Sequence, residues 1–219
     1  TFPNFNFDKS TGPYIRAIDL WNPCLGINQV TNNCFLGNHD NNQNTIILTG
    51  PNTSGKSTYI RNISIGILLA QTLGVTCCNN LEFTPFEYIF SYIDIPNIAT
   101  KESLFEAEIM RCVEYCKFIE NLDQDSFVFT VMDELFTGTN PKEGIAASYS
   151  VCEYLGNFKN NLMIVTTHFN ELTKLDKDKK FKNMKFIVNK LTDGSFYRPY
   201  KIYEGNSDQN IAIELLAEK

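Results

Sequence analysis

Residues 45–58 read TIILTGPNTSGKST, and this stretch decides the fold. Thr45–Thr49 is a short β-branched apolar run, which predicts a buried strand. Gly50-Pro51-Asn52-Thr53-Ser54-Gly55-Lys56-Ser57 fits G-x-x-x-x-G-K-[ST] in full. A helical pattern follows over residues 55–73, with an apolar face at Ile60, Ile63, Ile67 and Leu68. Strand, glycine-rich loop and helix in that order make a phosphate-binding P-loop, and this context argues against an accidental glycine-rich turn. The chemistry needs these residue types. Glycines let the loop curl so that backbone N–H groups face phosphate oxygens. The helix adds its N-terminal dipole. Lys56 supplies a mobile point charge for the β- and γ-phosphates, and Ser57 offers a hydroxyl to Mg2+. Binding and hydrolysis of a nucleoside triphosphate are expected.

Further along the chain, residues 86–95 read as a strand. Residues 103–122 form the clearest amphipathic helix, with Phe105, Ile109, Cys112, Cys116 and Ile119 at spacings of four and three. Glu102, Glu106, Lys117 and Glu120 sit off that stripe. FVFTVM at 127–132 suits a central parallel strand buried on both faces. A helix over 143–158, a buried strand over 162–167 and a short helix over 170–175 follow. From Met184 onward the pattern reads as strand pairs closed by a helix near 211–217, and the polar stretch 38–44 reads as a loop. Alternating strands and helices predict an α/β fold.

The bulk numbers agree. The chain has 219 residues and 43% hydrophobic content, enough for one sizeable core and a single domain spanning residues 1–219. No internal repeat is found. The chain opens on Thr1 rather than Met, so a fragment of a longer chain is expected. The net charge of −6 points away from a surface that itself grips DNA phosphates. No signal pattern opens the chain and no apolar run could span a bilayer, so no membrane partner is expected. The seven cysteines (24, 34, 77, 78, 112, 116 and 152) form no CxxC pair, and there are two histidines. A zinc site or disulfide framework is not expected; reduced, mostly buried thiols in an intracellular compartment are.

Three further places carry chemistry. Asp133-Glu134 ends the apolar run FVFTVM. In P-loop enzymes an acidic residue there holds Mg2+, and the next carboxylate can act as general base on the attacking water. The bland reading is a solvated acidic strand end. His168 follows LMIVTT at another strand's C-terminal end, the edge where open α/β sheets bind ligands. It could polarise the γ-phosphate or merely cap a loop; His39, in the Asn-rich stretch, reads as solvated. Ser103-Leu104-Phe105-Glu106 is a capping box, so Ser103 can cap its helix, yet a helix start with a free hydroxyl is also an anion site. Residues 174–190 hold seven lysines interspersed with acids, which reads as a solvated surface loop rather than a nucleic-acid patch.

Together these segments resemble the C-terminal ATPase domain of the MutS family. TGPNTSGKSTYIR is close to the family's TGPNMGGKSTY-x-R, MDELFTGTNPKEG to DE-x-x-x-GT-x-x-x-x-G, TTHFNEL to ATH-x-x-EL, SLFEAEI to S-x-F-x-x-E-[MIL], and YKIYEG to YK-x-x-x-G. Asn22-Pro23 stands where the family has His-Pro, and Phe35-Leu36-Gly37-Asn38 is similar to F-x-x-N. The likeness runs over nearly the whole chain in the correct order.

The resemblance implies an ABC-ATPase-like P-loop NTPase fold, a mixed sheet flanked by helices. It implies ATP and Mg2+ as cofactors. Phe35 would stack on adenine; Asn52, Lys56, Ser57 and Thr58 would hold the triphosphate and Mg2+; Asp133 would bind Mg2+; Glu134 would position or deprotonate water; His168 would lie on the γ-phosphate side. Ser103 would reach across to the nucleotide of a partner subunit. The active form would be a homodimer or a MutS-type heterodimer. ATP would drive clamp movement on mismatched double-stranded DNA held by domains outside this fragment.

Departures matter as well. Lys101-Glu102 precede Ser103 where the family has Gly-Arg, and a carboxylate beside a γ-phosphate is unfavourable unless it points away or meets a cation. Thr53-Ser54 replace Met-Gly, Asn22 replaces His, and ELFTGTN stands for EIGRGTS. These point to a divergent branch, whose members can serve recombination, organelle or viral genome maintenance, or ribosome rescue. Cytoplasm, nucleus, organelle and viral factory all stay open. Two other readings fit the residues less well. An ABC transporter ATPase would carry LSGGQ where SLFEAEI stands, and a degenerate nucleotide-binding module would lack a carboxylate such as Glu134.

Overall fold

The computed structural model describes residues 1–26, 28–38, 43–93 and 104–209. The strands are β1 (Asn4–Phe5), β2 (Tyr14–Leu20), β3 (Asn32–Gly37), β4 (Thr45–Thr49), β5 (Asn80–Phe83), β6 (Tyr88–Tyr92), β7 (Val128–Asp133), β8 (Asn161–Thr166), β9 (Phe181–Phe186), β10 (Asn189–Lys190), β11 (Phe196–Tyr197) and β12 (Ile202–Glu204). The helices are α1 (Lys56–Leu73), α2 (Leu104–Glu120) and α3 (Pro141–Leu155), and a 3-10 helix spans Asn170–Lys177.

The main sheet has the order β12-β9-β4-β8-β7-β6. Its strands run parallel except β12, which is antiparallel to β9, so the sheet is mixed. Period-2 alternation divides the side chains between two cores. Ile46, Leu48, Phe129, Val131, Leu162 and Ile164 face α1 and a second, four-stranded sheet of order β1-β5-β2-β3. Ile47, Val128, Met132, Met163 and Val165 face α2, α3 and the 3-10 helix. That double coverage explains why the parallel strands read as unbroken apolar runs. Among the described residues, no helix is long and apolar enough to cross a membrane.

Most expected elements appear within a few residues of their predicted bounds, with four corrections. Leu68, which helical spacing puts on the apolar face of α1, is 51% exposed, while Ile60, Ile63 and Ile67 are buried. FVFTVM is interior but second from the edge, and β4 and β8 are the central pair. The lysine run is not one loop: it contains the end of the 3-10 helix and all of β9, whose Phe181 and Phe186 anchor it in the two cores. The sheet built from β1, β2, β3 and β5 was not foreseen. Residues 39–42, Ser103 and the helix expected at 211–217 lie outside the described residues. All seven cysteines are free thiols, and Cys24 is the exposed one.

Candidate nucleotide site

β4 lies between β8 and β9, where the chain crosses from one side of the strand to the other. Such a switch point opens a crevice at the strands' C-terminal ends. The P-loop leaves β4 there. Gly55 stands at the N-cap of α1 with φ of 113° and no side-chain cap, so the first N–H groups of the helix stay available to an anion. Gly50 has φ of 149°, and a Cβ on it would meet the Phe186 carbonyl oxygen at 2.8 Å, so the loop requires glycine. Thr53 turns the loop with φ of 62°.

Lys56 is 4% exposed. Its Nζ donates to the carbonyl oxygens of Gly50 at 2.8 Å and Pro51 at 3.2 Å, and lies 3.6 Å from Glu134 Oε1. Burial pulls the ammonium below its ordinary value, opposed by the charges of Glu134 and Asp133. Within the loop, Pro51 and Ser54 are buried, while Asn52, Thr53 and Thr58 are exposed and Ser57 half-buried.

Asp133 and Glu134 leave β7 one strand beyond β8. Thr166, at the end of β8, joins them: its hydroxyl donates to Asp133 Oδ1 and accepts from the Glu134 N–H at 3.1 Å. The Glu134 N–H also reaches the Thr166 carbonyl at 3.1 Å. Glu134 has φ of 52° and Phe136 of 54°, an unfavourable backbone that turns the chain sharply after β7. Helix α3 braces this turn, because buried Ser148 donates from Oγ to the Leu135 carbonyl at 3.1 Å. His168 Nε2 lies 2.7 Å from Glu134 Oε1. That hydrogen bond holds the Glu134 carboxyl below its ordinary value, burial opposes it, and the Lys56 charge adds to the lowering.

The structure therefore gathers Lys56, Glu134 and His168 at one point, with Asp133 beside them. Phe35 is half-buried on β3, opposite Arg16 of β2. A cavity of about 360 Å³ lies beside the P-loop, with walls that include Leu25, Val30, Thr58, Asn62, Phe186 and Tyr200; Phe35 is not among its lining residues. Thr166, Asn62, Tyr200 and Arg198 received no role from the sequence. Arg198 Nε donates to Thr53 Oγ1 at 3.3 Å. Asn62 had left a trace, as a polar residue on the buried face defined by Tyr59, Ile63 and Gly66. Tyr200 left one as the first residue of YKIYEG, while Arg198 left none, because its position depends on how the strands after Phe186 fold back.

A P-loop after the switch-point strand β4, a carboxylate pair at the end of β7 two strands away and a histidine just past the end of β8 between them define a P-loop ATPase fold. The sequence matches the family described as MutS domain V over residues 46–218, and the chain belongs to the MutS family. It is 30% identical to the DNA mismatch repair protein MutS of Staphylococcus aureus (strain JH9) over 223 aligned positions, covering 98% of this chain and 24% of that protein. It is 31% identical to the DNA mismatch repair protein MutS of Fusobacterium nucleatum over 180 positions, 80% of this chain and 19% of that protein. Similarity to the DNA mismatch repair protein MSH7 of Arabidopsis thaliana is 32% over 176 positions, 76% of this chain and 15% of the relative. The chain thus spans 15% to 24% of the length of these relatives.

Proposed function

We propose that this chain is one ATPase domain of a longer, divergent MutS-like mismatch repair protein, binding ATP with Mg2+ and hydrolysing it. The observation that carries the reading is the meeting of Lys56, Glu134 and His168 at the end of β4, β7 and β8. The donor set suits Mg2+: Ser57 offers a hydroxyl, and the Asp133 carboxylate is held in place by Thr166. Bound there, Mg2+ would neutralise charge on the phosphate oxygens. Gly50, Pro51, Asn52, Thr53, Ser54 and Gly55 wrap the phosphates, Lys56 and Thr58 contact them, and Phe35 stacks on the base. An arriving γ-phosphate competes with Glu134 for Lys56. Once released, the ionised Glu134 orients water or takes its proton, while His168 fixes the carboxylate.

By its kinship the domain works as a homodimer or a MutS-type heterodimer, with Ser103 of each subunit completing the other's site. Mismatched DNA is held elsewhere in the longer protein, inside a reducing intracellular compartment. The test is steady-state phosphate release from ATP and Mg2+, by this chain alone and by the full-length protein with homoduplex or heteroduplex DNA. Turnover abolished by Glu134→Gln and raised by heteroduplex supports the reading. Turnover indifferent to Glu134→Gln removes the catalytic assignment, and indifference to heteroduplex removes the repair assignment.

A further inference from the structure

We infer that Arg198 is a second cation for the triphosphate, moored beside the P-loop by Thr53. The inference rests on the ATP-binding reading above and adds a residue to it that the P-loop pattern does not contain. Arg198 Nε donates to Thr53 Oγ1 at 3.3 Å, and Thr53 is the exposed residue on which the loop turns, at φ of 62°. A guanidinium carries five N–H donors in a rigid fork. Nε is spent on Thr53, and the other four have no hydrogen-bond partner and no carboxylate among the described residues. Water can serve those donors, but a phosphate oxygen also meets the charge, and a charge-assisted bond is about twice as strong as a neutral one.

The fold holds Arg198 in that place. It follows β11 and leads into β12, and this segment is fastened along the loop. Phe186, at the end of β9, is the register partner of Ile202, and its carbonyl is the atom against which Gly50 packs. Tyr200 lies at the other end of the loop: a Cβ on Gly55 would stand 3.4 Å from its ring. The buried Asn32 amide clamps the segment to β3, donating from Nδ2 to the Tyr200 carbonyl at 2.9 Å and accepting on Oδ1 from the Ile202 N–H at 2.9 Å. With Tyr200 and Ile202 so fixed, the bond to Thr53 sets the direction of the Arg198 fork.

Electrostatics give the placement a use. Lys56 is opposed by Glu134 at 3.6 Å and by the charge of Asp133, one cation against two carboxylates. A triphosphate drawn to the loop gains from a further fixed positive charge beside it, all the more in a chain of net charge −6. Thr53 is also one of the chain's departures from TGPNMGGKST. A thioether is a weak acceptor, so a methionine there would not hold Nε as the hydroxyl does. The mooring is therefore a property of this chain's own loop.

Equilibrium titration of the full-length protein with ATP and Mg2+, at low and at high salt, tests the inference. Arg198→Gln keeps a donor for Thr53 but loses the charge, and should weaken ATP binding about tenfold at low salt. High salt should shrink that ratio to about twofold, because a solvent-accessible charge is screened. Arg198→Lys restores the charge without the fork and should bring affinity back to within about threefold of the unaltered protein. Thr53→Val removes the hydroxyl and keeps the branched shape; it should weaken ATP about threefold alone and add almost nothing to Arg198→Gln. Arg198 makes a single hydrogen bond among the described residues, so neither of its substitutions threatens the fold. Unchanged ATP affinity in Arg198→Gln overturns the inference. So does a loss that lysine does not recover and salt does not reduce, which would make Arg198 a strut of the loop. Both results leave ATP binding intact. Failure of the unaltered protein to bind ATP overturns the ATP reading itself.

Discussion

Lys56 Nζ lies 3.6 Å from Glu134 Oε1, so the cation proposed to bind phosphate faces the carboxylate proposed to activate water. The same oxygen is 2.7 Å from His168 Nε2. Glu134 thus links the P-loop to the end of β8, and in the proposed reaction a γ-phosphate would draw Lys56 away from it.

Lys56→Ala should weaken ATP binding by about ten- to a hundredfold, the worth of one or two charge-assisted hydrogen bonds. Fluorescent-nucleotide titration measures it. Near-normal affinity would remove the P-loop assignment.

Glu134→Gln keeps the side chain's size and removes its charge. ATP affinity should hold or rise, while single-turnover hydrolysis falls by roughly 10²–10⁴, the range for losing a general base. A loss of affinity without a loss of turnover would place Glu134 in binding alone.

The acid limb of stability follows from the same residue. Its carboxyl titrates below the ordinary value of 4.5 in the folded chain. A lowered folded value contributes stability that is fully present above the unfolded value and lost as pH falls through the folded one. The ATP-free protein should therefore exceed Glu134→Gln in stability at pH 7. The margin should be no more than about 1 kcal/mol, because Glu134 is a third exposed and screened. Denaturation curves across pH 3 to 7 should show that margin vanish toward the acid end. A margin independent of pH would mean the glutamine disturbs packing instead.

Thr166→Val removes the hydroxyl that joins Asp133 to Glu134 while keeping the β-branched shape of the strand end. A stability loss of about 1 kcal/mol is expected, together with lower turnover and a higher Mg2+ requirement. Thr166→Ser should restore most of the turnover. Unchanged Mg2+ dependence in the valine variant would show that Asp133 needs no such support.

Gly144→Ala raises helix propensity in α3, which elsewhere gains up to about 1 kcal/mol. Here the added Cβ would lie 2.6 Å from the Phe136 carbonyl oxygen, in the turn that follows Glu134. A net loss of about 1–3 kcal/mol is expected from urea denaturation, since backbone must move. A gain in stability would show that the turn is pliant.

The P-loop, the strands on which the site is built and the helices α1, α2 and α3 were legible because each is coded by neighbours in the chain. β4 is five apolar or β-branched residues in a row, whereas α3, expected from 143, begins two residues earlier at Pro141 behind an Asn140 N-cap. Leu68 misled because helical spacing alone cannot say how wide a buried stripe is; α1 meets the second sheet along Tyr59, Ile63 and Ile67 and leaves Leu68 outside. β9 was hidden because Lys182, Asn183 and Lys185 break both the apolar run and the period-2 pattern, and the burial of Phe181 and Phe186 depends on how β9 packs beside β4.

Sequence by itself determined that this chain is α/β, that 50–57 is a phosphate loop, and that Asp133, Glu134 and His168 stand at strand ends. Those are local facts of period, composition and spacing. Only the tertiary structure decided that β8 lies between β4 and β7, and strand order is what brings Lys56, Glu134 and His168 within one charged cluster. It alone set Thr166 between the Asp133 carboxylate and the Glu134 backbone N–H, and Asn62 in the wall of a cavity. Such contacts join residues far apart in the chain, and packing of sheets and helices, not neighbouring residues, selects them.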